Sequence, residues 1–137
     1  MEEPKKEKPR RFVKMFKPRF AELIRSGAKR QTIRPTPKRL PKAGDIIDCR
    51  EWTGKPYRSP QLHIVDGYIF SVMCISITAE GVVTETFESF TQMMKPLGMR
   101  DELAKADGFE SFDEMRDWFQ REHGLPFGGI LIKWRDL

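Results

Sequence analysis

The sequence is poor in the side chains that usually hold metals or staple small folds. Its 137 residues include two cysteines and two histidines. No CxxC pair occurs, and Cys49, Cys74, His63 and His123 are too scattered for a zinc site by spacing. Both cysteines fall in strand-like segments and are expected to be reduced, buried small hydrophobes. No apolar run is long enough to span a bilayer. The opening residues, MEEPKKEKPRR, lack the apolar centre of a signal peptide. These absences set the expectation of a cytoplasmic chain with no membrane partner, no metal and no cofactor.

Acidic residues are also scarce in the front of the chain. Residues 1–42 hold 15 Lys and Arg against Glu2, Glu3, Glu7 and Glu22, a net of +11. Residues 43–137 hold 10 Lys and Arg against 16 acids, a net of −6. A basic front on an acidic back points to a polyanionic partner met by one face.

What is present suits one domain. A chain of 137 residues with 39% hydrophobic and 11% aromatic content can bury a core without staples. Residues 1–11 read as a disordered basic arm, and residues 12–137 as the domain. Phe12 to Phe16 reads as a first strand. Pro18 then suits a first helical turn, and Phe20, Leu23 and Ile24 make one apolar stripe that Gly27 ends. Thr32–Arg34 and Ile46–Trp52 read as strands, with a proline-rich loop between them carrying Lys38 and Arg39. Leu62–Val65 and Tyr68–Thr78 flank Asp66-Gly67, a hairpin signal. Val82-Val83 reads as a short strand. Phe87, Phe90, Met93 and Met94 are spaced for a helix ended by Pro96, and residues 100–106 for another. Ser111 and Glu114 form a capping box for a helix whose stripe is Met115, Trp118 and Phe119. Residues 130–134 close the chain as a strand. The order is not that of a doubly wound sheet. The expected class is α+β, a small, mainly antiparallel β-barrel with flanking helices.

The least core-like stretch is Gly27-Ala28-Lys29-Arg30-Gln31-Thr32-Ile33-Arg34. Under strand alternation Thr32 and Arg34 share a face. The cations, amide and hydroxyl suit a phosphate, a base edge or an amide carbonyl, whereas a solvated turn is the bland alternative.

These residues, with Phe20 and Ile24 before Gly27, Gly44-Asp45, Ala104, Asp107-Gly108-Phe109 and Ile132–Trp134, resemble the ASCH domains of the PUA-like superfamily over roughly residues 12–135. The resemblance implies a PUA-like barrel with a cleft lined by residues 29–34. It implies RNA or a modified nucleoside as ligand. Some members are similar to small bacterial amidohydrolases that deacetylate N4-acetylcytidine with a lysine, a threonine and a glutamate. Lys29 and Thr32 match the first two, and the third falls at or near Asp107, a shorter acid here. Other members look like single-strand ribonucleases.

Three functions follow as expectations. The first is binding of single-stranded RNA or a nucleoside by Lys29, Arg30, Thr32, Arg34, Lys38 and Arg39. Tyr57 and Arg58, with Trp52 near them, would stack bases or meet phosphates. The second is a hydrolase, amidohydrolase or ribonuclease, in which Lys29 activates Thr32 and Asp107 acts as the acid. Desolvation, Arg30 and Arg34 would lower the Lys29 pKa for that task. Glu51, Glu85 and Glu88 are alternative acids. The third is a docking surface around residues 93–97. His63 reads as an edge histidine, and His123 as a cation favoured by a helix C-terminus.

Overall fold

The computed structural model describes residues 8–85 and 100–137 and the backbone of residues 91–93 and 98–99. Among the described residues seven strands and three helices follow the order β1 (Arg11–Met15), α1 (Pro18–Ser26), β2 (Gln31–Pro35), β3 (Ile46–Trp52), β4 (Gln61–Ile77), β5 (Val82–Glu85), β6 (Thr91–Met93), α2 (Gly98–Ala106), α3 (Phe112–Glu122) and β7 (Phe127–Asp136). The class is α+β. The sheet is mixed: β1 runs parallel to β3, and the other pairings are antiparallel.

Strand β4 is the spine. One edge pairs with β3 along its first half and with β5 at its end, while the other pairs with β7. Strands β1 and β2 hang on β3 and β7. The sheet is open, so the expected barrel is corrected. Among the described residues no ladder joins β1 to β2. The Arg34 side chain spans the gap instead, its guanidinium donating to the Met15 carbonyl at 2.7 Å.

The hairpin expected at Asp66-Gly67 is also corrected. These residues lie mid-strand, opposite Asp48 and Ile47 of β3, and Gly67 also faces Asp136 of β7. Glycine is required there for close approach rather than for a turn. A Cβ on Gly67 would lie 2.4 Å from Trp134 Cδ1 and 3.1 Å from Ile47 Cγ2. Both neighbours are core residues with little room to move. Gly67→Ala should therefore destabilise the fold by about 1–3 kcal/mol, the usual range for overpacking. A denaturant midpoint equal to that of the parent chain would refute this.

The helices form where the pattern places them. Pro18 opens α1, Phe20, Ala21 and Ile24 are buried, and Gly27 ends it at φ 84° with its N–H on Ile24 O. Ser111 caps α3 by accepting from the Glu114 N–H at 3.2 Å. The Asp101 carboxylate accepts from the Phe112 N–H and ties α2 to the same turn. By contrast, Thr91–Met93 is a strand paired with β5, where the spacing suggests a helix. A three-residue segment takes its structure from the open edge of β5, since local periodicity is weak over so short a length. Phe87, Phe90 and residues 94–97 lie outside the described residues, as does most of the proposed docking surface.

Arg10 and Arg11 belong to the fold rather than to a free arm. Arg10 donates from its backbone to Asp45, and Arg11 begins β1 and pairs with Asp48 and Asp66. Residues 1–7 of the arm lie outside the described residues. The core is one buried cluster that joins Phe20, Phe109, Phe112, Met115 and Phe119 of the helices and their turns to strand residues that include Ile33, Ile75, Ile130 and Ile132.

Candidate functional site

Strand β2 leaves α1 after one short turn, so the Gly27–Arg34 stretch is held by two packed elements. The Lys29 N–H bonds Leu23 O at 3.0 Å, and the strand pairs with β7 from Gln31↔Lys133 to Pro35↔Gly129. Lys29, Gln31 and Thr32 are all buried, at 2%, 5% and 4% exposure. The stretch is thus no solvated turn.

Asp107 reaches Lys29 from the far end of the chain. It follows α2 in a turn closed by Gly108 at φ 104°, with Phe109 N–H on Ala104 O at 2.9 Å. A left-handed residue is needed there, and a Cβ at Gly108 would sit 3.0 Å from Phe20 and Leu23 of α1. The turn therefore seats directly on the helix that precedes Lys29. Phe109 completes the seat by packing on Phe20 with ring centroids 5.5 Å apart.

The result is a buried ion-pair geometry. Lys29 Nζ lies 3.3 Å from Asp107 Oδ1 and also donates to the Asp107 carbonyl. Gln31 Nε2 donates to the same Oδ1 and to Leu103 O, each at 3.3 Å. Burial pushes the Lys29 amine down, against the pull of Asp107, with Arg34 adding to the fall. Burial likewise pushes the Asp107 carboxyl up, against Lys29 and Gln31. Both shifts favour the neutral pair, a free amine beside a protonated acid. Arg30 has no part in this; it points outward to Asp136 at 2.9 Å.

Arg34 lies beside this pair, half-buried. Its Nε donates to Thr32 Oγ1 at 3.0 Å, and its guanidinium carbon stands 4.6 Å from the centre of the Phe16 ring. With its Nε bond made, Arg34 leaves the Thr32 hydroxyl proton free for another acceptor. Among the described residues Arg34 forms no ion pair.

Lys29, Thr32, Arg34 and Asp107 line one cavity of about 160 Å³. Its other walls are Met15 and Phe16 from the end of β1, Phe20, and the aromatic group Phe109, Trp118 and Phe119. Lys17, Ile33, Pro35 and His123 complete the lining. The cavity thus occupies the gap between β1 and β2 where the sheet fails to close. A hole of roughly 150 Å³ accommodates a benzene-sized molecule, so this one suits a single planar ring.

Sequence reasoning did not identify Gln31, Lys17 or the aromatic walls. Gln31 had a signal, an amide inside a stretch with no core explanation. The aromatics read only as helix stripes, because periodicity does not say which side of a buried ring faces a hole. His123 caps α3, as its place in the helix suggests, and also lines the cavity.

The remaining candidates lie elsewhere. Lys38, Arg39, Tyr57 and Arg58 are exposed and do not line the cavity. Glu51 pairs with Arg25, Glu85 sits on β5, and neither lines the cavity. Glu88 lies outside the described residues. Cys49 is fully buried, and burial pushes its thiol up to about 12, so it is no nucleophile near neutral pH. Cys74 is free but only half-buried. Asp48, His63 and Asp66 converge within 4.8 Å of one another. Their carboxylates are already engaged: Arg50 and Arg11 hold Asp48 at 2.8 and 3.1 Å, and Arg11 holds Asp66 at 2.8 Å.

The charge split has a largely internal outlet. Front cations pair with back acids: Arg10 with Asp45, Lys17 with Glu122, Arg19 with Glu114, Arg25 with Glu51 and Arg30 with Asp136. The asymmetry along the chain is thereby folded into contacts between its halves, and it is a weaker pointer to a polyanion than it looks in sequence. The chain matches no family model, no curated protein and no solved structure.

Proposed function

We propose that the cavity binds the base of an N-acylated pyrimidine nucleoside and that Thr32 cleaves its amide. One observation carries this reading: Lys29, Thr32 and Asp107 line a single ring-sized cavity, with Lys29 and Asp107 3.3 Å apart. The aromatic walls supply faces for a planar heterocycle, and the polar groups of the lining supply its hydrogen-bond partners.

The chemistry follows from the protonation states that burial favours. The Lys29 amine accepts the Thr32 hydroxyl proton as Oγ1 bonds to the acyl carbon. The carbonyl oxygen becomes an oxyanion beside the Arg34 guanidinium, a fixed charge in a water-poor site. The carbon–nitrogen bond then breaks, and Asp107 gives its proton to the departing exocyclic nitrogen. The Asp107 carboxylate then takes a proton from water as the water oxygen bonds to the acyl carbon, and Lys29 returns its proton to Thr32 Oγ1 as the acyl group leaves as the acid. Asp107 being one methylene shorter than a glutamate is offset by its placement, since the α2 turn brings it against Lys29 directly.

Incubation with N4-acetylcytidine should give cytidine and acetate, resolved by chromatography. Thr32→Ala should abolish the reaction while preserving the thermal melt. Absence of cytidine with the folded parent chain would sink the catalytic reading. A second reading, binding of a base without turnover, is favoured by the same aromatic walls. Cytidine protecting Trp118 fluorescence from a quencher, without product, would select it.

A further inference from the structure

The loop between β3 and β4 has a feature that core packing does not require. Tyr57 is 89% exposed, yet its backbone sits in the left-handed region at φ 64°. A non-glycine residue there is held by its surroundings. The surroundings are a dense set of local bonds. Thr53 bonds Pro60 O through both N–H and hydroxyl, Gly54 N–H bonds Ser59 Oγ, and Ser59 Oγ and Arg58 N–H both bond Lys55 O. The tip is therefore preordered, and it holds Tyr57 against Trp52 with ring centroids 5.2 Å apart.

Two cations flank this ring. Lys55 and Arg58 are exposed. Among the described residues neither side chain has an ion-pair or hydrogen-bond partner, unlike the front-half cations paired above. The position is also informative. Met15 pairs with Arg50, and the Phe16 N–H bonds Arg50 O. Trp52 lies two residues further along, roughly 7 Å at the rise of a strand. The aromatic tip thus extends from the same end of the sheet as Met15, Phe16 and Lys17, which wall the cavity.

We infer that the 53–60 loop is a second nucleic-acid contact, so that a single-stranded oligonucleotide carrying the base is held more tightly than the free nucleoside. This inference rests on the cavity reading above. One base enters the cavity, and a flanking base stacks on Tyr57. Lys55 and Arg58 meet the intervening phosphates. An aromatic face with adjacent cations is the usual platform for single strands, tolerant of sequence because every base has a π-face.

The test compares a short cytidine-containing single-stranded RNA with free cytidine, for the parent chain, Tyr57→Ala and Lys55→Glu/Arg58→Glu. The loop is surface-exposed and away from the cavity lining, so the variants should fold, which a thermal melt checks. The RNA should bind the parent chain more tightly than cytidine does. Tyr57→Ala should weaken the RNA about tenfold and leave cytidine unchanged. The double charge reversal should flatten the salt dependence of RNA binding. RNA affinity equal to that of cytidine, or unaltered in both variants, would overturn the inference while leaving the cavity reading intact. RNA binding that needs Tyr57, with no cytidine binding at all, would keep the loop and overturn the cavity.

Discussion

Asp107→Ala should cost about 1–3 kcal/mol of stability where the Lys29 amine is neutral, because it leaves a buried polar group without its partner. It should cost more where that amine is protonated, because it then leaves a buried charge unpaired. The side chains of the pair are 3% and 6% exposed, so solvent cannot step in readily. The deficit should depend on pH with a definite sign. Burial holds the folded-state Lys29 pKa below its usual 10.5. The unfolded chain then binds more protons than the folded one, and stability rises with pH toward that unfolded value. The deficit of Asp107→Ala should therefore be smaller at pH 10 than at pH 6.

Lys29→Met should show the opposite slope. Asp107 has a folded pKa raised above 3.8 by burial, and without Lys29 only Gln31 and Arg34 oppose the rise. Its contribution is fully present below the unfolded pKa and is lost as pH rises through the folded one. Combining Lys29→Met with Asp107→Leu should recover much of the loss, since a buried pair replaced by apolar groups is often neutral. Denaturant titrations at two pH values decide the matter. Parallel pH profiles for the two single variants would mean that Lys29 and Asp107 do not share a buried environment.

The second large effect concerns Arg34. Under the proposed hydrolysis Arg34→Met should lower kcat by about a hundredfold to a thousandfold, the range for removing one oxyanion donor. KM should change less, because the charge it opposes develops only in the transition state. Arg34→Lys should not restore the rate. A single ammonium cannot bond Thr32 Oγ1 and Met15 O in the fixed fork that the guanidinium provides. An unchanged kcat in Arg34→Met would remove Arg34 from the mechanism and leave it only as a tie across the open sheet.

How far these features were legible beforehand differs by residue. Helix α1 and helix α3 are written locally: Pro18, the Phe20–Ile24 stripe and Gly27 for one, Ser111 with Glu114 for the other. Their signals lie within one or two turns of each other, which is the reach of capping and periodicity. Strand β4 reads as two strands in sequence because Asp66-Gly67 has turn chemistry, while the partners of that dipeptide, Asp48, Ile47 and Asp136, are distant along the chain. The demand of the Trp134 ring on Gly67 is a tertiary fact with no local trace.

The same division holds at the site. Lys29, Thr32 and Arg34 stand out in sequence because polar residues in a stretch between helix and strand ask for a reason. Alternation alone places Thr32 and Arg34 together, and their side chains do bond. The juxtaposition of Lys29 with Asp107, 78 residues apart, is different. It depends on Gly108 seating the α2 turn against Phe20 and Leu23, and on an open gap between β1 and β2. Local chemistry thus determined which side chains were unusual and which elements carry them. Only the tertiary structure decided that they surround one cavity, because burial and proximity are properties of packed surfaces, not of neighbours along the chain.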